Sequence, residues 1–175
     1  MTKLSIITQR IPDPLRLSTH FLRSEFEKSG PMPNYVVGAY AQLCGELLEP
    51  IREKFGVPII ITSGYRSPNY NVSVGGDPNS AHVGTSYRCA ADFRMSVDLQ
   101  VVFDWIRLSS GLLFDQVILE REKEDGPPSC IHIAWRNKYC RRAALEGLTH
   151  GRGKYKPMEV EIAEATTHLT DELMG

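Results

Sequence analysis

The sequence predicts an α+β fold with a central, mostly antiparallel sheet flanked by helices. Segments of helical period and short β-branched segments do not alternate regularly along the chain, which disfavours a doubly wound parallel sheet. Two strand candidates near the middle follow each other as a hairpin. The chain has 175 residues, of which 42% are hydrophobic and 23% charged, as in an ordinary globular domain with a sufficient core.

The N-terminal third of the chain predicts helices followed by a strand. Residues 1–34 are rich in proline and glycine around one short helical candidate, Thr19 to Lys28. From Val36 to Phe55 the apolar residues recur with a helical period, and Pro50 predicts a kink or a break near the end of that helix. The β-branched run Val57 to Thr62 then predicts a buried strand.

The middle of the chain predicts a long loop, a helix and three strands. A loop as long as residues 63–88 is uncommon in a compact domain and is usually functional or disordered. Cys89 to Met95 predicts a strand, and Ser96 is a plausible N-cap of an amphipathic helix. Phe114 to Glu120 and Cys130 to Trp135 predict two strands joined by a polar connection, as a hairpin with a long tip.

The C-terminal part differs in composition from the rest. From His150 the chain becomes rich in glycine and charge, and Val160 to Leu173 is weakly helical. We therefore expect a domain over residues 1–149 and a C-terminal extension over residues 150–175, suited to a helix or to binding a partner.

Charge and hydropathy exclude several classes of partner. The 20 basic and 21 acidic residues give a net charge of −1, so no overall attraction to nucleic acid or to an anionic membrane is expected. No window approaches the roughly 18 apolar residues of a transmembrane segment. The apolar stretch Leu4 to Ile7 is too short for a signal peptide. We expect synthesis in the cytoplasm without a signal peptide.

Three side chains near the middle of the chain are candidate metal ligands, and strand periodicity identifies two of them. In the strand Cys130 to Trp135, His132 projects from the face opposite the apolar residues, and Asp92 does the same in the strand Cys89 to Met95. His82 lies in the loop ahead of Asp92. Two histidines and one aspartate with an open fourth position are typical of a catalytic zinc site. The alternatives are a hydrogen-bonded structural histidine and an aspartate paired with an arginine.

Short motifs surround these residues in a fixed order. They are Ser63-Gly64-Tyr65-Arg66-Ser67-Pro68-x-x-Asn71, Gly75-Gly76, Ser80-x-His82, Ala90-Ala91-Asp92-Phe93, Phe114-Asp115-Gln116 and Ile131-His132-Ile133. The combination resembles the zinc D-Ala-D-Ala carboxypeptidase family, peptidoglycan-cleaving metallopeptidases that share a fold with the hedgehog signalling domain. It is most similar to the small versions encoded by bacteriophages and prophages. The resemblance runs from about His20 to Trp135.

The resemblance implies a site with one zinc ion. Its ligands would be His82, Asp92 and His132, and Arg66 would bind a substrate carboxylate through its forked donors. Ser80 would orient the loop or touch the substrate. The alternative for Arg66 is a salt bridge that staples the loop, and the alternative for Ser80 is a turn hydroxyl.

The general base is a separate question. The family uses a glutamate, or in some members a histidine, shortly before the last zinc histidine. Glu120 matches that glutamate and closes a strand, so its position is fixed, whereas Glu122 and Glu124 lie in the hairpin tip and are the competitors or mere surface charges. Zinc would lower the pKa of a water, and Glu120 would accept its proton and deliver it to the leaving amine.

The sequence departs from the family pattern in three places. The loop between the first two ligands is long, with residues 85–87 as the apparent insertion, and the hairpin tip is also long. Cys130 stands where phage relatives often have tryptophan. Because Cys130 and Cys89 each shortly precede a candidate ligand, we expect the two thiols to lie near each other, as packing or as a redox-sensitive pair.

The implied function is cleavage of peptidoglycan stem peptides, at D-Ala-D-Ala or at the L-Ala-D-Glu bond. A phage or prophage lysis enzyme (an endolysin) would act on the cell wall after release or from the virion. The alternative is a zinc-retaining, non-catalytic structural or binding module, for example a virion or tail component that contacts virion proteins through residues 150–175. His20, His150 and His168 receive no role.

Overall fold

A computed structural model describes residues 15–149 and 155–160, and within them a six-stranded sheet with helices. The helices are α1 (Arg23–Phe26), α2 (Asn34–Leu43), α3 (Glu49–Phe55), α4 (Pro68–Ser73) and α5 (Leu99–Leu108). The strands are β1 (Ile60–Ser63), β2 (Arg88–Arg94), β3 (Gln116–Arg121), β4 (Pro128–Arg136), β5 (Ala143–Leu148) and β6 (Lys156–Met158).

The sheet has the strand order β1-β2-β4-β3-β5-β6. Four of its neighbouring pairs are antiparallel, and only β3 and β5 run parallel. The predicted α+β class with a mostly antiparallel sheet is therefore confirmed. So is the predicted hairpin, which β3 and β4 form.

The predicted helix from Val36 to Phe55 is one continuous helical run with a defect. Between α2 and α3, Cys44–Leu48 form a π-helical turn in which the Glu49 N–H donates to the carbonyl of Cys44. Pro50 has no N–H to donate and would crowd the carbonyl four residues earlier in a regular α-helix. The wider turn accommodates this conflict, so the predicted kink takes the form of a π-helical turn.

The predicted long loop is partly helical. Ser67 Oγ accepts a hydrogen bond from the Tyr70 N–H at 3.2 Å and caps α4, whose first residue is Pro68. A serine followed by proline is a known start signal for a helix, but six residues are too few to show a helical period. A 3₁₀ turn, Ala81–Val83, lies near the end of the same loop.

Other element boundaries differ slightly from those predicted. The helix predicted at Thr19 to Lys28 is the single turn α1. The N-cap of α5 is Asp98 instead of Ser96, because Asp98 Oδ1 accepts from the Gln100 N–H at 2.9 Å. Strand β6 pairs with β5, so part of the predicted extension belongs to the sheet. Residues 150–154 and 161–175, which include nearly all of the predicted helix Val160 to Leu173, lie outside the described residues.

The hydrophobic core lies on one face of the sheet. Helix α2 packs against β2 and β4, and α5 packs against β3 and β4. Alternate strand residues point into this core and are fully buried, among them Phe93, Val117, Leu119, Ile131 and Ile133. The remaining residues of the same strands project from the opposite face. Within the described ranges, no helix is long and apolar enough to cross a membrane.

Candidate metal centre

Two strands and one turn bring the three predicted ligands together. Asp92 on β2 pairs in register with His132 on β4, so both side chains leave the sheet on the face opposite the core. His82 belongs to the 3₁₀ turn that packs against β2. Asp92 Oδ1 lies 2.8 Å from His132 Nδ1 and 3.1 Å from His82 Nε2, and the two nitrogens are 3.2 Å apart.

The backbone fixes which nitrogen of His82 faces the centre. His82 Nδ1 lies 2.7 Å from the carbonyl oxygen of Gly64, an acceptor only, so Nδ1 carries the proton in that bond. In the neutral ring, Nε2 then presents its lone pair towards Asp92 and His132. An imidazole held in this way by a backbone carbonyl is the common arrangement of a metal-ligating histidine.

Asp92 supplies negative charge to a largely enclosed place. Burial alone would raise the pKa of this carboxyl, but the adjacent His82 and His132 outweigh it and hold the pKa well below its usual range. The carboxylate is therefore ionised at neutral pH. His82 and His132 are themselves buried, so a carboxylate and two imidazole nitrogens, which offer lone pairs when the rings are neutral, meet at a point that suits a cation.

The donor set fits a divalent metal such as zinc. One atom each from His82, Asp92 and His132 lies within 4.8 Å of the others, and they form the metal-capable group found among the described residues. Two imidazole nitrogens and one carboxylate oxygen are a ligand set of catalytic zinc sites, which keep a fourth position open.

Hydrogen bonds to its backbone hold His82, the candidate ligand in the loop, in place. The N–H of Arg66 donates to the carbonyl of His82 at 2.9 Å, and Ser80 Oγ accepts from the N–H of His82 at 3.3 Å. Gly64 passes so close to α1 that a Cβ there would lie 2.6 Å from Phe26 Cα. The glycine of the Ser-Gly-Tyr-Arg motif thus allows the close approach that positions the Gly64 carbonyl under His82.

Other motif residues organise the same loop. Asn71 is 1% exposed, and its Nδ2 donates to the carbonyl of Asp77 at 2.8 Å. The N–H of Gly76 donates to the carbonyl of Asn71 at 2.8 Å, and a Cβ on Gly76 would lie 2.2 Å from Asn71 Oδ1. Asn71 and the glycine pair therefore serve loop structure, a role that their spacing did not reveal.

Arg66 lies beside the metal-capable group and pairs with Asp92, one of the candidate ligands. Arg66 Nη2 donates to Asp92 Oδ2 at 3.1 Å, and Arg66 Nε donates to Ser63 Oγ at 3.1 Å. The first bond orients the Asp92 carboxylate so that its other oxygen faces the two histidines. Binding of a substrate carboxylate by Arg66 stays a prediction.

Glu120 lies on the same face of the sheet as the metal-capable group. It pairs with Cys130 of β4, two residues before His132, and the alternation of strand residues puts all three side chains on one side. Glu120 is also flanked by Gly147 of β5, so it sits between two neighbouring strands. Its role as general base stays a prediction.

The competing glutamates have a different setting. Glu122 and Glu124 are exposed in the tip of the hairpin. Glu120 instead accepts hydrogen bonds from two side chains: Tyr155 Oη at 2.9 Å from Oε1, and Cys130 Sγ at 3.4 Å from Oε2. Tyr155 was not predicted, because it follows a glycine-rich stretch without a strand pattern.

The expected closeness of Cys89 and Cys130 was wrong. Cys89 pairs with Trp135 near one end of β4, whereas Cys130 lies near the other end of that strand. They also point to opposite faces, Cys89 into the core and Cys130 towards the metal-capable group. Burial raises the pKa of both thiols, and all four cysteines are free.

Two further polar residues lie outside the centre. Asp115, of the Phe-Asp-Gln motif, is fully buried and accepts from Arg141 Nε at 3.0 Å and Nη2 at 2.7 Å. These bonds outweigh the effect of burial and lower the pKa of Asp115. His20 Nδ1 lies 2.7 Å from Glu49 Oε2, away from the metal-capable group. His150 and His168 lie outside the described residues.

Fold and site together define an α+β protein with a candidate metal centre of the catalytic type. Residues 19–111, more than half of the 175-residue chain, match the family model described as Peptidase M15. The chain therefore belongs to the peptidase M15 family. This membership supports the assignment of the protein as a peptidase. No curated protein matches the chain.

The matched region contains only part of the site. It includes Arg66, Ser80, His82 and Asp92 but ends before Glu120 and His132. His132 is connected to the matched ligands by the register of β2 and β4, and Glu120 by the register of β3 and β4. The geometry thus extends the group beyond the region that the family model covers.

Proposed function

We propose that this protein is a zinc-dependent peptidase that cleaves peptidoglycan stem peptides. The observation that carries the proposal is the convergence of His82, Asp92 and His132 within 4.8 Å in a chain of the peptidase M15 family. Glu120 projects from the same face of the sheet and supplies a carboxylate for proton transfer.

His82 Nε2, Asp92 Oδ1 and His132 Nδ1, the atoms that converge, would hold the ion. When bound, zinc supplies a Lewis acid and lowers the pKa of water to about 7. The carbonyl of Gly64 keeps His82 in the tautomer that this role requires. Arg66 keeps Asp92 oriented by holding its second oxygen.

Glu120 is the general base. It takes a proton from the attacking water and then delivers it to the leaving amine, two transfers that need a carboxylate at a fixed place. Its position between Cys130 and Gly147 on neighbouring strands gives it that fixed place. Glu122 and Glu124 are exposed in the hairpin tip and have no such support.

Arg66 also binds the substrate. A guanidinium has five N–H donors, and the bonds to Asp92 and Ser63 occupy only two of them. The remaining donors hold a carboxylate of the peptide beside the scissile bond. Both D-Ala-D-Ala and L-Ala-D-Glu bonds of a stem peptide have a carboxylate close by, so either bond fits this arrangement. Ser80 acts by holding the turn that carries His82.

A phage or prophage lysis enzyme is the setting that we propose, acting on the cell wall after release or from the virion. Residues 150–175 then remain available in part for virion proteins, apart from the strand β6 that belongs to the sheet. Detection of the chain in purified particles would favour the virion-bound form over the free lysis enzyme.

The test of the proposed function compares two glutamate variants. Zinc-loaded wild-type protein is expected to release new amines from purified peptidoglycan, with products identified by mass spectrometry. Glu120→Gln is expected to lose about 100-fold or more of this activity with zinc retained, because general-base catalysis contributes roughly 10²–10⁴-fold. Glu124→Gln, in the exposed tip, is the matched control and keeps wild-type activity.

The same assay can contradict the proposal. If wild-type protein with one bound zinc per chain releases no amines, the peptidase is excluded and a zinc-retaining binding module takes its place. If Glu124→Gln is inactive and Glu120→Gln is active, the base is in the hairpin tip.

A further inference from the structure

The carboxylate of Glu120 is held from two sides by side chains that share its face of the sheet. Tyr155 Oη lies 2.9 Å from Oε1, and Cys130 Sγ lies 3.4 Å from Oε2. The ionised carboxylate is an acceptor only, so the phenol and the thiol are the donors. A thiol is a weak donor, which leaves Tyr155 as the principal fixed partner of Glu120.

The place of Tyr155 is itself built into the sheet. A Cβ on Gly147, the β5 neighbour of Glu120, would lie 2.4 Å from Tyr155 Cδ1, so the ring rests directly on the backbone of β5. Strand β6 begins at the next residue, Lys156, which pairs with Glu146. The chain is thus anchored immediately after Tyr155, and a ring that needs a glycine beneath it is held at one position.

The phenol remains a donor at the pH of the reaction. Burial and the neighbouring Glu120 raise the pKa of Tyr155 well above its ordinary value. Tyr155 therefore keeps its proton and donates to the carboxylate throughout the neutral range.

We propose that Tyr155 is a positioning residue that orients Glu120 for proton transfer, supplied by a segment beyond the predicted domain boundary at residue 149. The proposal rests on the assignment of Glu120 as general base. Tyr155 acts through Glu120: its hydroxyl fixes Oε1, while Oε2, which accepts the weak thiol bond of Cys130, takes the proton of the attacking water. The last strand of the sheet thereby contributes to the proton-transfer apparatus as well as to the fold.

Tyr155→Phe tests this inference, because it keeps the ring on Gly147 and removes only the hydroxyl. In the zinc-loaded full chain, kcat on peptidoglycan is expected to fall roughly 10-fold, the loss expected for one hydrogen bond to a charged group, with KM and zinc content unchanged. Tyr139→Phe, at a tyrosine that is 91% exposed, is the matched control and keeps wild-type values.

A second variant disturbs the same contact by moving the Tyr155 ring. Gly147→Ala displaces the ring while leaving the hydroxyl in the chain, and the same fall in kcat with unchanged zinc content is expected. Wild-type kcat in Tyr155→Phe overturns the proposal. So does a raised KM at unchanged kcat, which would mean that Tyr155 binds substrate.

A double-mutant cycle separates this inference from the proposed function. The unfolding equilibria of wild type, Glu120→Gln, Tyr155→Phe and the double variant measure the contact without any activity. A coupling of roughly 10-fold in the unfolding constant supports the contact, and additive effects overturn it. Coupling in a zinc-loaded protein that releases no amines would instead mean that the contact exists and that the peptidase assignment fails.

Discussion

The candidate ligands come from two unlike regions, the interior of the sheet and the loop that covers it. Asp92 and His132 sit opposite each other in the ladder of β2 and β4, where every neighbouring residue is fixed by strand pairing. His82 lies in a short 3₁₀ turn and depends on individual hydrogen bonds to Gly64, Arg66 and Ser80. Strand pairing therefore positions the two candidate ligands on the sheet. The candidate ligand in the loop needs a separate hydrogen bond for each of its backbone groups.

The largest effect is expected on the sheet side of this comparison. His132→Ala removes one of three donors from a buried group without disturbing the strand, so bound zinc is expected to fall from one ion per chain to none. Peptidase activity is expected to fall by at least about 1000-fold with it. Metal analysis after dialysis, with amine release in parallel, measures both. His20→Ala is the control, and zinc retention by His132→Ala would remove His132 from the ligand set.

On the loop side, Gly64→Ala is expected to weaken the site without touching any ligand. The new Cβ would lie 2.6 Å from Phe26 Cα, so the segment must shift and carry with it the carbonyl that orients His82. Loss of such a partner typically costs 10–100-fold in metal affinity, and competition with a chelator measures it. Gly38→Ala, where the added Cβ meets nothing within 4 Å, is the control. Unchanged zinc affinity in Gly64→Ala would mean that the loop needs no such support.

A third variant tests how much a buried ion pair away from the metal-capable group contributes to the stability of the fold. Asp115→Asn removes the charge that binds Arg141 and is expected to lower the free energy of unfolding by about 1–3 kcal/mol at neutral pH. The pKa of Asp115 is lower in the folded protein than in the unfolded chain. Its contribution is therefore present above about pH 4 and is lost as the pH falls through the folded value.

Urea unfolding at a series of pH values measures this contribution. Wild type is expected to lose its advantage over Asp115→Asn in acid, while zinc content at neutral pH is the same in both. A difference in stability that does not change with pH would contradict the electrostatic account of Asp115.

The smallest effect is expected for Ser80→Ala. The hydroxyl accepts a 3.3 Å bond from the His82 N–H, and loss of such a cap typically costs about 1 kcal/mol of stability. KM on peptidoglycan is expected to stay within about twofold of wild type. A several-fold rise in KM at unchanged stability would show that Ser80 touches substrate after all, the alternative that its sequence context also allows.

The same contrast explains how much of the molecule could be predicted from its sequence. Strand alternation alone placed Asp92 and His132 on the polar face, because two residues per repeat admit only two orientations. It could not place Tyr155, since the neighbouring strand β5 has no β-branched residue and its parallel pairing with β3 joins distant segments. The cysteine prediction failed for a related reason: a short distance to a candidate ligand along the chain does not determine the face of the sheet or the end of the strand on which a thiol lies.

The separation of the ligands along the chain has a consequence for folding. His82 and His132 are 50 residues apart in sequence, yet their facing nitrogens lie 3.2 Å from each other. An ion held by both would act as a cross-link that closes this segment, and ligand linkage would stabilise the folded chain by about 2.7 kcal/mol at a hundredfold excess over the dissociation constant. Availability of metal would then regulate the lifetime of the folded protein as well as its chemistry.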